Sequence, residues 1–245
     1  MPTKPKPVSQ ELTDAIQQAA VQVSIHAPSF SSGNGKAFET WIFLEAAAVL
    51  QTNNAVLARD SHGKPTSEFR VCGAPSNLPT MSTSAASEPC HFLVGDHREL
   101  HAGLLHRGAS GDSHELDVSV VSTHDAAVLR HGRNREPYQG TRYAGIELKE
   151  YDAAGSLPKT YARALLGVAL DLDPLRFIYP VELRLGGQAV FHWHDGFFNS
   201  PNYMLLTTAA LTGPTRSLLN HYRMTWVDCV AAGHLPSEFE AFVSA

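Results

Sequence analysis

The feature that most limits the fold is a change of hydrophobic period along the chain. Apolar residues recur at helical spacing in two early segments, the period drops to two between Cys90 and Lys149, and helical spacing returns after Pro158. Leu12, Ile16, Ala19, Ala20 and Val23 form one stripe behind Ser9, a residue suited to cap a helix. Residues 36–51 are apolar on nearly every side, which predicts a second, buried helix whose only acids are Glu39 and Glu45. Segments 91–94, 99–107, 114–121 and 143–149 are short and alternating, which predicts a strand meander that turns at Gly108-Ala-Ser-Gly-Asp. Helices before and after such a run define an α/β (α+β) fold class.

The remaining segments are read by the same signals. Residues 55–60 and 68–73 flank a Gly- and Pro-containing turn and predict a hairpin, while 74–89, rich in Ser, Pro and Thr, predicts a mobile loop. Residues 158–170 predict a helix, 177–185 and 188–192 strands, and the chain from Tyr203 a mainly helical C-terminal part with a break at Gly213-Pro214. The expected organisation is a disordered arm over 1–8 and a single domain over 9–245, with a core at about 35–172 and an extension at about 173–245. No internal repeat points to a solenoid.

At 245 residues and 43% hydrophobic, the chain can bury one substantial core. Cys72, Cys90 and Cys229 are widely spaced without a Cys-x-x-Cys pair, so neither a disulfide framework nor a four-cysteine zinc site is suggested and a reducing, cytoplasmic setting is expected. No stretch approaches the roughly 20 apolar residues of a membrane span, so no membrane partner is expected. The net charge of −5 works against non-specific duplex binding, which rests on phosphate neutralisation. Arg130, Arg133, Arg135 and Arg142, with His131 and against Glu136, nevertheless make a candidate phosphate-facing patch, the alternative being a solvated loop. Lys159 and Arg163, four apart on the helix after Pro158, could face phosphate; a solvated stripe is the default.

The chemistry concentrates on two strands. In His114-Glu-Leu-Asp-Val-Ser-Val120, alternation sends Leu116, Val118 and Val120 to one core face and leaves Glu115, Asp117 and Ser119 on the other. In Ala144-Gly-Ile-Glu-Leu-Lys149, the same alternation buries Ala144, Ile146 and Leu148 and presents Glu147 with Lys149. If the strands pair, one face collects three carboxylates and an ammonium. Magnesium takes oxygen ligands, commonly one or two carboxylates with water and phosphate, and Asp117 and Glu147 would supply them. Lys149 would hold or help deprotonate the attacking water and offset charge on the phosphorus. Alone, Glu-x-Lys is as readily a surface ion pair worth well under about 1 kcal/mol; an apolar strand with Asp117, a second with Glu-x-Lys and an upstream helix acid make the combination informative.

These stretches resemble the PD-(D/E)XK nuclease superfamily with its restriction-endonuclease-like fold. The resemblance rests on Gly35-Lys-Ala-Phe-Glu39, Ser110-Gly-Asp-Ser-His-Glu-Leu-Asp117-Val, Gly145-Ile-Glu147-Leu-Lys149 and the helix from Pro158, covering about Gly35 to Leu172; Leu116 stands where the motif has Pro. It implies a restriction-endonuclease-like core, with a central mixed β-sheet flanked by helices, and a metal-dependent endonuclease or exonuclease acting on nucleic acid, DNA first. Asp117 and Glu147 would be metal ligands, with the Leu148 carbonyl and, through water, Glu39. Lys149 would be the catalytic lysine, and Glu115 is a candidate additional acid. Magnesium is the implied cofactor, with manganese able to substitute. A homodimer or partner subunit is the default assembly. The competing class is a non-catalytic protein with a nuclease-derived fold that works through protein contacts, which the acidic balance favours.

His192-Trp-His194-Asp195 could hold zinc with His221 or His234 as a third ligand, although a tight polar turn is the preferred reading. Tyr151 and Asp152 either border the site or cap a turn.

Overall fold

The computed structural model describes residues 7–30, 33–71, 73–174, 183–185, 188–190 and 202–244. Residues 1–6 of the expected arm and the whole His192-Trp-His194-Asp195 motif lie outside them. In chain order the elements are α1 (Gln10–Gln22), β1 (His26–Ser29), α2 (Asn34–Gln51), β2 (Val56–Arg59), β3 (Glu68–Arg70), β4 (His91–Val94), β5 (Arg98–Arg107), β6 (Ser113–Ser122), α3 (Thr123–Arg130) and β7 (Arg142–Lys149). There follow β8 (Ser156–Leu157), α4 (Lys159–Leu172), β9 (Leu183–Leu185), β10 (Gln188–Val190), β11 (Asn202–Thr207), β12 (Ala210–Leu211), α5 (Gly213–His221), β13 (Thr225–Val227) and α6 (Ser237–Ser244).

A mixed seven-stranded sheet organises the chain in the order β13-β11-β7-β6-β5-β4-β2. β13, β11 and β7 run parallel, and the ladder from β7 through β6, β5 and β4 to β2 is antiparallel. Helices flank it on both faces. Ile146, Leu148, Met204 and Leu206 pack with Trp41, Phe43 and Leu44 of α2, Leu12 and Ile16 of α1 and Phe239 of α6. The alternate residues Tyr203 and Leu205 pack with Ala162 and Leu165 of α4 and Leu219 of α5. Ser9 caps α1 as expected, its hydroxyl accepting the Leu12 N–H at 3.2 Å.

Two expectations about strand partners fail. Residues 56–59 pair with His91–Val94 of β4, while Glu68–Arg70 of β3 runs parallel to His26–Ser29 of β1, so the two segments do not form one hairpin. The C-terminal part is not mainly helical either, since β11 sits inside the sheet between β7 and β13. The run Tyr-Met-Leu-Leu is buried on both faces, and a strand covered on both faces loses the alternation that would distinguish it from a buried helix.

The third correction bears on chemistry. Val118 and Val120 enter the core under α2, but Leu116 lies in the opposite core with Tyr203 and Leu157. β5 inverts at the same level. Leu100 packs with Val118, whereas Leu104 packs with Val121 and Tyr138. The β5–β6 register brackets the inversion between Ala102↔Val118 and Leu104↔Leu116, which sets Gly103 opposite Asp117. Gly103 adopts φ 57°, a left-handed conformation open to glycine that re-aims the strand. Gly145 makes room for Leu116: a Cβ there would stand 2.7 Å from the Leu116 Cδ1.

Candidate active site

The site lies at the seam between β6 and β7. Their antiparallel register runs through Ser119↔Gly145 and Val118↔Ile146, and at the next step Asp117 turns its side chain onto the neighbouring backbone. Its Oδ2 accepts the Leu148 N–H at 2.6 Å, so the ladder is continued by a carboxylate instead of a carbonyl. Glu147 lies in register with Leu205 of β11, on the face opposite Ile146 and Leu148, and its carboxylate meets Lys149 Nζ at 2.5 Å. Lys149 Nζ also stands 5.9 Å from the centre of the Tyr161 ring on α4.

Two further acids share the field of Asp117. Glu39, on the second turn of α2, and Glu115, two residues before Asp117, are both raised above the usual carboxylate range, first by burial and then by the Asp117 charge. Asp117 is raised by burial, against the opposing pull of the Leu148 N–H, Lys149 and Lys36. Glu147 is pushed up to about 7 by burial and by Asp117, despite Lys149. Burial alone would lower Lys149, but Glu147, Asp117 and Glu39 carry it above its usual value. The lysine is therefore a cation throughout the neutral range.

Among the described residues no three His, Cys, Asp or Glu side chains are disposed together to hold a metal ion. The acids are instead held by cations and a backbone donor: Lys36 pairs with Glu39, Lys149 with Glu147 and the Leu148 N–H with Asp117. One Glu115 oxygen is buried with no hydrogen-bond partner. Four partly or wholly buried carboxylates with elevated proton affinity share this field, one of them with an idle oxygen, and carboxylate oxygen is the donor type that a hard divalent cation takes. Asp117, Glu147, Glu39 and Glu115 carry those oxygens, although as placed no three of them gather around one ion. The carbonyl donor suggested at Leu148 belongs to a residue in register with Leu206 of β11. Glu45 is no substitute for Glu39: it accepts the Trp41 indole N–H at 2.9 Å and its charged neighbour is Glu240.

Lys36 was not singled out by sequence. Its signal was its place three residues before Glu39, one helical turn away, which lets it neutralise the acids from α2. Asn34 helps fix that helix end, donating to Glu150 at 2.9 Å just beyond Lys149.

The arginine patch needs correction. Arg130 is only 5% exposed, and it donates from Nη1 and Nη2 to the two oxygens of buried Glu99 at 2.8 and 2.5 Å. His101 Nε2 lies 2.8 Å from Glu99, and His91 stacks on His101 with ring centres 4.9 Å apart. A buried guanidinium committed to this quartet cannot meet phosphate at the surface; α3 folds over the sheet and draws it in. Arg135 pairs with Glu88, and Arg142 donates to the Leu172 carbonyl while remaining partly exposed. Arg133 and Arg163 are exposed and Lys159 is half-buried. His221 and His234 are exposed, and the histidines they would join lie outside the described residues.

Comparison of the chain with protein-family models, with curated proteins and with solved structures finds no match. Among the described residues no helix is long and apolar enough to cross a membrane.

Proposed function

We propose that this chain is a metal-dependent nuclease with a restriction-endonuclease-like core that hydrolyses phosphodiester bonds, in DNA by preference. The observation that carries the reading is the meeting of Asp117, Glu147 and Lys149 at one seam of the central sheet, with Glu39 and Glu115 in the same electrostatic field. A structural ion pair needs one acid and one base. Four acids with raised proton affinity around two lysines form a site under electrostatic load, the condition in which functional sites are commonly found.

Asp117 and Glu147 would hold magnesium or manganese, with Glu39 and Glu115 contributing directly or through water. When bound, the metal would polarise the phosphoryl oxygen and lower the pKa of a water. Lys149, a cation already fixed against Glu147, orients the attacking water and offsets negative charge as it grows on the phosphoryl group. Lys36 holds Glu39 in position from the start of α2. The Leu148 N–H fixes the Asp117 carboxylate so that one oxygen stays aimed and the other is available. Incubating the purified protein with plasmid and oligonucleotide DNA in magnesium, manganese or EDTA tests the reading: cleavage with either metal and none in EDTA is expected.

A further inference from the structure

Beyond Lys149 the chain leaves the sheet, yet its backbone stays fixed. The Tyr151 N–H donates to Thr208 Oγ1 at 2.9 Å, and that same hydroxyl donates to the Tyr151 carbonyl at 2.7 Å. One threonine thus clamps both sides of Tyr151 while the residue remains 38% exposed. The ring meets Tyr161 edge-on, with centres 6.3 Å apart and planes at 65°, and Tyr161 in turn lies 5.9 Å from Lys149 Nζ. Edge-on packing covers less of an aromatic ring than stacking does. Among the described residues the ring belongs to no core cluster; besides Tyr161 it borders Gly155, where a Cβ would stand 3.8 Å from the Tyr151 Cε1.

Electrostatics point the same way. Of the arginines that could have tracked a duplex backbone, Arg130 is buried on Glu99, Arg135 is paired with Glu88 and Arg142 is bound to a carbonyl, which leaves Arg133 and Arg163 as the exposed ones. With a net charge of −5, the protein is poorly equipped to hold nucleic acid by phosphate neutralisation alone. Stacking on aromatic rings is the other general source of affinity for nucleic acid, and it is tolerant of sequence because every base has a π-face. A base inside a duplex already has both faces covered, and exposing one consumes much of what stacking returns.

Resting on the nuclease reading above, we propose that Tyr151 is a stacking platform for a nucleobase beside the scissile phosphate, so that the substrate is engaged single-stranded or already unpaired at the cleavage point. Tyr161 buttresses the platform and Thr208 holds its height relative to Lys149. Specificity by strand state, not by base identity, follows from this arrangement.

The test uses fluorescence anisotropy with labelled oligodeoxythymidine, its duplex with oligodeoxyadenosine, and an oligodeoxythymidine with one abasic position, in a Glu147→Gln background that blocks turnover. Tyr151→Ala is expected to weaken single-strand binding roughly ten-fold or more, Tyr151→Phe to leave it nearly unchanged, and duplex binding to be weak in all variants. The abasic position should weaken binding to the protein that retains Tyr151 and have little further effect on Tyr151→Ala. Equal loss from the abasic position in both proteins, or duplex binding as tight as single-strand binding, overturns the platform. In that case cleavage with magnesium by the protein with Glu147 intact still upholds the nuclease; absence of cleavage together with absence of binding overturns both.

Discussion

Asp117 accepts the backbone N–H of Leu148 at 2.6 Å across the seam between β6 and β7, so one carboxylate both completes the sheet and belongs to the candidate metal site. The two duties can be separated by substitution. Asp117→Ala strands a buried N–H, which costs about 1–3 kcal/mol, and thermal unfolding should show the loss. Asp117→Asn keeps an oxygen acceptor and removes a charge that burial disfavours, so it should melt at or above the unsubstituted protein in EDTA. Both variants should lose cleavage. An Asn variant as unstable as the Ala variant would show that the charge, not the acceptor, supports the fold.

Gly103 is predicted to be intolerant of a side chain. Its φ of 57° is left-handed, and placing an L-residue there costs roughly 1–2 kcal/mol before any rearrangement. Gly103→Ala should lower the unfolding free energy obtained from urea titration by that amount. Because the glycine stands opposite Asp117 in the register, divalent-metal affinity measured by calorimetry should fall as well.

Much of the fold was legible because its signals were local. Ser9 before an apolar stripe, the alternation in β5, β6 and β7, and Glu-x-Lys at the end of a strand all depend on neighbours a few residues away. What failed to show depends on distant partners. The parallel insertion of β11 beside β7 is visible only once both faces of Tyr203–Leu206 are covered. Strict alternation sent Leu116 to the wrong core, and the interior Gly103 of β5 was the available warning of a kink. Arg130 looked like a surface charge because nothing near it in sequence reveals Glu99, the partner that buries it.

Arg130→Ala is expected to act on stability and not selectively on nucleic-acid binding. Removing one partner of a buried ion pair costs about 3–5 kcal/mol, since Glu99 would stay buried with only His101 and His91 beside its charge. Denaturant titration should show that loss, and a folded Arg130→Ala variant with only weakened DNA affinity would argue for a surface role.

Acid should expose two opposing contributions to stability. His91, His101 and His106 are held below the ordinary histidine range, first by burial, so the unfolded chain takes up protons on them first and stability falls as pH drops through about 6.5. Glu147 is raised to about 7, so the folded chain binds its proton first and stability gains as pH drops from about 7 toward 4.5. Glu39, Glu115 and Asp117 are raised as well, so Glu147→Gln removes only the share of the gain that belongs to Glu147 and leaves the histidine loss. Its stability should therefore decline more steeply between pH 7 and 5 than that of the unsubstituted protein, read from urea midpoints across that range.

Lys149→Ala separates binding from turnover. Calcium affinity measured by calorimetry should change little, because the oxygen donors remain, while cleavage with magnesium should drop about a hundred- to a thousand-fold. Circular dichroism should show an intact fold, as Lys149 belongs to neither main core.

The most direct measurement is cleavage of single- and double-stranded DNA and of RNA by the protein and by Glu147→Gln, each in magnesium, manganese and EDTA. The account predicts cleavage of at least one DNA substrate with magnesium or manganese, none in EDTA and none by Glu147→Gln. Failure to cut any polynucleotide with either metal, or equal cleavage by Glu147→Gln, would contradict it.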